Sequence, residues 1–139
     1  DPSNEKLAKL YSTEFYRNVE ARLAPEGVMV TQATSTFFSP HAFSTVASTV
    51  ATSQPDRQIL PFSTNIPSFG EWGFVLSTRT PQNLISQPLP EGLTYQDRET
   101  LEFIMLTKPA RTETMEPSTL LHPRIVEVYN RDMRQWRYY

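Results

Sequence analysis

With 139 residues, 38% apolar side chains and 12 prolines, the chain can form one small domain or part of one, with a modest core and long connections. Its formal charge of −2 gives no electrostatic basis for binding nucleic acid or an anionic membrane. The lack of cysteine excludes disulfides, thiolate nucleophiles and cysteine-based zinc sites, and favours a reducing compartment.

No run approaches the ~18 apolar residues of a membrane span, and no signal-peptide pattern opens the chain. Glycine occurs only at positions 27, 70, 73 and 92, which leaves no P-loop and no GxGxxG loop. The main cradle of any nucleotide-like ligand is therefore expected outside this chain.

Asp1–Pro2–Ser3–Asn4 reads as a turn rich in N-cap residues. Behind it Leu7, Leu10, Tyr11, Phe15, Val19 and Leu23 recur at helical spacing, which predicts one helix from about residue 5 to 23 with a single apolar stripe. Pro25–Glu26–Gly27 ends it. Val28–Thr31 is a short apolar run, as expected of a strand buried on both faces, and Gln32 follows at its carboxyl end. In open α/β sheets ligands bind outside that end, where a glutamine supplies both donor and acceptor; a solvated loop glutamine is the alternative.

Ser39–Pro40 signals a helix start, followed by Phe43, Val46, Ala47 and Val50 at i, i+3, i+4 and i+7. Serine, threonine and valine make this a poor intrinsic helix, so packing must hold it. Arg57–Ser63 reads as a strand that Pro61 assigns to an edge or a bulge, and Trp72–Thr78 as its antiparallel partner across a short connection. Residues 79–96 form an extended connector with three prolines. Thr94 and Asp97 have capping-box spacing ahead of a short helix carrying Leu101, Phe103, Ile104 and Met105. Residues 107–123 are irregular. Arg124–Met133 closes the pattern as a helix with Ile125, Val128 and Tyr129 inward, ahead of a peripheral tail, QWRYY. Strand, helix, strand, strand is the order of an α/β fold, matching the second half of a doubly wound sheet that ends in an antiparallel pair. Such a half-sheet has an unpaired edge, so the chain is expected to be a fragment or to pair with another copy.

His41 and His122 have no second histidine or carboxylate at ligand spacing and read as solvated or capping residues, so no metal is expected. No serine sits in a GxSxG elbow. What remains suits a small cation. Asp1 and Glu71 are carboxylates beside turns, Phe69 and Trp72 offer ring faces to an ammonium group, and Gln32 offers a hydrogen bond. Ordinary hairpin packing is the alternative for the two aromatic residues, and a plain turn for Asp1–Pro2.

Taken together, Asp1–Pro2, the Leu10–Tyr16 helix segment, Gly27–Gln32, Pro67–Ser68–Phe69 and Gly73–Phe74 resemble, in order and spacing, the polyamine aminopropyltransferases (the spermidine and spermine synthase family). The resemblance covers about residues 1–79, which it implies are the C-terminal half of a Rossmann-like, methyltransferase-type domain, with 80–139 as a C-terminal extension. GEWGFVLS is similar to bacterial members that carry a membrane-embedded region upstream. The implied location is accordingly a cytoplasmic domain of a membrane-anchored bacterial protein, this segment itself lying outside the membrane and forming a homo-oligomer.

The resemblance implies transfer of an aminopropyl group from decarboxylated S-adenosylmethionine, a co-substrate, to a polyamine such as putrescine, with release of methylthioadenosine. Asp1 would hold a substrate ammonium group and Gln32 the amine or its neighbouring loop. Phe69 stands where many members have tyrosine, and Gly70–Glu71 replaces a longer Pro-Ser-Gly-Gln insertion, with Glu71 as substitute polar contact. The general-base aspartate and the glycine-rich co-substrate loop would lie upstream of Asp1, so no catalytic residue is expected here and the chain alone should be inactive. A methyltransferase of the same fold, or a degenerate domain that binds polyamine or a protein partner, is the alternative.

Overall fold

The computed structural model describes residues 1–81, 88–94, 97–104 and 110–136. It is an α/β structure built on a three-stranded antiparallel sheet in the order β1-β3-β2, with β1 at Met29–Gln32, β2 at Gln58–Ile66 and β3 at Gly70–Thr78. The helices are α1 (Glu5–Ala8), α2 (Thr13–Glu20), α3 (Pro40–Ser53), α4 (Arg98–Glu102) and α5 (Arg124–Arg134), with a short 3₁₀ turn at Lys9–Tyr11.

The single helix expected over 5–23 is two helices with a break at Ser12. Ser12 is extended (φ −97°, ψ 155°), and its hydroxyl donates to the Lys9 carbonyl and accepts the Phe15 N–H at 3.2 Å, starting α2 as an N-cap. The Thr13 N–H leaves the helix to reach the Ser118 carbonyl at 2.9 Å. A contact more than a hundred residues away thus outweighs local periodicity.

The strand expected to be buried on both faces is buried on one. Met29 is buried and Val30 is half exposed, because the helices among the described residues cover a single side of β1. Gln32 lies in the strand, paired with Phe74, rather than after it. Pro61 sits on β2, which among the described strands pairs only with β3, so its missing N–H on the outer edge costs no bond of that ladder. Both hairpin strands run further than the sequence suggests, leaving a turn of Pro67, Ser68 and Phe69. The Phe69 N–H bonds the Ile66 carbonyl at 3.0 Å, and Ser68 takes φ +74°, the left-handed position that follows proline in a type II turn.

The α3 helix is the centre of the molecule. Phe43, Val46 and Val50 meet Tyr16 of α2, Val75 of β3 and Ile125 of α5, all essentially buried. Its weak helix formers have a second use. The Ser44 and Thr49 hydroxyls each donate to the carbonyl four residues back, and each accepts an N–H from the irregular 110–123 segment, that of Glu113 at 3.2 Å and that of Ser118 at 3.0 Å. Ser48 Oγ likewise accepts the Met115 N–H at 3.0 Å. The segment is irregular, yet three of its backbone donors, including that of the buried Ser118, are satisfied along the helix.

Two local expectations change. Asp97, rather than Thr94, is the N-cap of α4, accepting the Thr100 N–H at 2.7 Å. In the tail, residues 137–139 of the QWRYY expectation lie outside the described residues, while Trp136 makes packing contacts. It packs on Phe37 and Phe38 with centroids 5.4 and 5.1 Å away. The part of the short-helix expectation that falls on Met105 lies outside the described residues.

Candidate functional site

Strand alternation sorts the residues of β3. Trp72 and Phe74 point to the side of the sheet away from α3, while Gly73, Val75 and Ser77 point toward it. The register places Gln32 of β1 directly opposite Phe74. Asp1, Ile66 and Phe69 complete the wall of a cavity of about 260 Å³ with Gln32, Trp72 and Phe74. Phe69 meets Trp72 edge-on at 5.7 Å, held at the rim by the Ser68 turn, and the Phe74 ring stacks on Phe62 at 5.4 Å.

Four of the five residues singled out from the sequence, Asp1, Gln32, Phe69 and Trp72, therefore line one cavity. Glu71 does not join them. Adjacent to Trp72 on a strand, it faces the opposite side, where the Ser63 hydroxyl donates to its carboxylate at 2.6 Å. Sequence reasoning missed Ile66 and Phe74. The signal for Phe74 was available, since it lies two residues from Trp72 and so shares its face.

Gly73 sits beneath this cavity. A Cβ there would lie 2.6 Å from the Phe43 ring and 2.9 Å from the Thr34 carbonyl, so its absence lets α3 and the turn after Gln32 close against the strand. That turn is bonded to β3 in both directions, Ala33 N–H to the Gly73 carbonyl at 2.9 Å and Gly73 N–H to the Thr34 carbonyl at 2.7 Å.

Chemically, the cavity joins one carboxylate and one primary amide to apolar and aromatic walls. An alkylammonium fits this combination, with its charge at Asp1, its methylenes along Phe69, Trp72, Phe74 and Ile66, and a ring face available to the cation. The two histidines lie elsewhere. His41 donates or accepts at Nδ1 with the buried Asp132 at 2.8 Å, and His122 is exposed. Among the described residues no three His, Asp or Glu side chains gather as a metal site would need, and no helix is long and apolar enough to cross a membrane.

Comparison with known proteins points to one family. The chain is 38% identical, in an alignment of 138 positions covering 96% of its length, to a polyamine aminopropyltransferase of Mycobacterium tuberculosis H37Rv, and 37% identical, in an alignment of 143 positions covering its whole length, to polyamine aminopropyltransferase 1 of Streptomyces coelicolor. Polyamine aminopropyltransferase 2 of Aquifex aeolicus is 32% identical over 93% of the chain. The chain spans about a quarter of the length of these relatives (25%, 26% and 26%). The model of the spermine/spermidine synthase domain matches residues 1–87, well over half the chain, and the chain belongs to that family.

Proposed function

We propose that this chain is the amine-binding, C-terminal part of a polyamine aminopropyltransferase that uses decarboxylated S-adenosylmethionine. The observation that carries the reading is the convergence of Asp1, Gln32, Phe69 and Trp72 on one cavity with the make-up of an alkylammonium site. The residues present fit the acceptor half of such a reaction.

The finer fold belongs to the same proposal. Strands β1 and β2 both run antiparallel to β3 and hence parallel to each other, joined through α3, with β3 inserted between them. That is a βαβ unit at one end of a Rossmann-like sheet, whose preceding strands would continue from the outer edge of β1. The upstream half would supply the co-substrate loop and the general base, and residues 80–139 form an extension on the synthase core. A cytoplasmic domain of a membrane-anchored homo-oligomer is the setting this reading favours.

In the reaction, a neutral amine nitrogen attacks the methylene beside the sulfonium. A C–N bond forms, the C–S bond breaks with its electron pair left on sulfur, and methylthioadenosine departs. No covalent enzyme intermediate is needed, so the protein's work is to align the amine and remove its proton. A free amine of pKa ~10 is mostly protonated at neutral pH. Asp1 therefore attracts the cation, Gln32 orients the nitrogen, and the aromatic walls strip water from the chain of methylenes. Phe69 lacks the hydroxyl of a tyrosine, which leaves acceptor choice to Asp1, Gln32 and the wall shape.

The test is a product assay on the full-length protein with putrescine and either decarboxylated or intact S-adenosylmethionine. Methylthioadenosine is expected, and the isolated chain should form none. Replacing Asp1→Asn should lower kcat/KM for the amine about a hundredfold, the scale for unpairing one member of a charged contact. S-adenosylhomocysteine as product would instead establish methyl transfer, and neither product would leave a binding domain.

A further inference from the structure

Residues 33–39 connect Gln32 at the cavity to α3, and α5, from the far end of the chain, holds this connection together with the first turn of the helix, residues 33–42 in all. The buried Asp132 carboxylate accepts the His41 and Ala42 N–H groups, both at 3.0 Å, and bonds His41 Nδ1 at 2.8 Å. A side chain 90 residues away thus does the work of an N-cap, which Ser39 does not perform for α3. Four residues on, Trp136 donates its indole N–H to the Phe38 carbonyl at 3.0 Å and packs against the Phe37 and Phe38 rings.

Between these anchors and the cavity the connection is tightly bonded. Thr34 takes φ +69°, a strained conformation for threonine, and its hydroxyl shares a 2.7 Å hydrogen bond with Ser39. Ser35 Oγ accepts the Phe37 and Phe38 N–H groups at 3.2 and 3.1 Å. The same stretch exchanges two backbone hydrogen bonds with Gly73, which lies between the cavity residues Trp72 and Phe74. Phe43, one residue past the Asp132 contacts, fills the space that Gly73 leaves open.

We propose that Asp132 and Trp136 are positioning residues for the amine subsite: by fixing the 33–42 connection they hold Gln32, and the Trp72–Phe74 floor, at the spacing that receives the amine. What the subsite binds rests on the aminopropyl-transfer reading; the mechanical linkage from α5 to Gln32 does not. The linkage also gives the C-terminal extension a part in substrate recognition, although the family model ends at residue 87.

The test uses the full-length protein and the variants Trp136→Ala and Trp136→Phe, with two readouts. One is hydrogen exchange at the Ala33 and Gly73 amides; the other is KM for putrescine and for decarboxylated S-adenosylmethionine. Trp136→Ala should speed exchange at both amides about tenfold and raise the putrescine KM about fivefold, the scale of losing one hydrogen bond, with kcat, the donor KM and Tm unchanged. Trp136→Phe keeps the ring contacts but lacks the indole N–H, so it should recover only the part of the loss that the ring contacts carry. Unchanged exchange at both amides overturns the linkage. Faster exchange with an unchanged putrescine KM overturns the positioning role, as does a parallel loss in both KM values, kcat and Tm. If the unaltered protein makes no methylthioadenosine, the aminopropyl reading fails by itself, and the exchange data still decide whether α5 holds the connection.

Discussion

The two faces of the sheet are built from alternate residues of the same strands and solve opposite problems. On the face toward α3, Met29, Thr31, Val75 and Ser77 lie under helices and their polar atoms are paired. Gln54 bridges them, donating to the Tyr16 carbonyl at 3.2 Å and accepting from Ser77 Oγ at 2.5 Å. On the other face, Val30, Gln32, Phe62, Phe74 and Trp72 keep part of their surface accessible, and Gln32, Trp72 and Phe74 line the cavity. The face toward α3 is sealed, and the opposite face is open around Trp72 and Phe74, while Leu76 and Thr78 further along it are buried. Because adjacent residues belong to different faces, a substitution on β3 can be aimed at either.

Gly73 is the exception, because it serves both faces, and Gly73→Ala should have the largest effect. The added Cβ meets Phe43 ring atoms at 2.6 Å and the Thr34 carbonyl at 2.9 Å. Either α3 or the turn behind Gln32 must move, and overpacking on this scale costs about 3 kcal/mol. We expect a clear drop in Tm together with a raised amine KM. A variant with wild-type Tm and KM would show that the two faces are not coupled through this residue.

Gln54→Leu should disturb only the sealed face. It leaves the Tyr16 carbonyl and the Ser77 hydroxyl without their side-chain partner in a buried setting, a loss of about 2 kcal/mol. Denaturant unfolding should register that loss while the amine KM of the folded protein stays unchanged. A shift in KM without a shift in stability would reverse the division of labour between the faces.

Much of this division was legible in the sequence, and what was not has a common cause. The α3 stripe of Phe43, Val46 and Val50, the β2–β3 hairpin and the turn at Pro67 follow from local spacing and chemistry. The grouping of Asp1, Gln32, Phe69 and Trp72 could be read from motif order. The exclusion of Glu71 was also local, since neighbouring strand residues cannot share a face, but the turn beside it suggested otherwise. By contrast, the break at Ser12 depends on Ser118, and the start of α3 on Asp132. Insertion of β3 between β1 and β2 likewise depends on pairing that no single segment encodes.

The smallest expected effect, absent near neutral pH, isolates one proton on the sealed face. The Tyr16 phenol is wholly buried, and burial pushes its pKa above the ordinary value of 10.0, opposed weakly by the 3.3 Å hydrogen bond with Thr31 Oγ1 and reinforced by Tyr11. The folded chain therefore holds this proton more tightly than the unfolded chain does. Its contribution to stability is fully present below pH 10 and is lost progressively as pH rises toward and through the folded value. Tyr16→Phe removes the proton while keeping the ring against Phe15. Its unfolding free energy should match the wild type within about 1 kcal/mol at pH 7, the worth of one long hydrogen bond, and should fall less steeply above pH 10. Burial raises Tyr11 and Tyr129 as well, so a shallower alkaline slope should persist in the variant. Identical alkaline slopes in the two proteins would mean that the sealed face opens before Tyr16 titrates, and would place the weak point of the fold on the α2 side of the sheet.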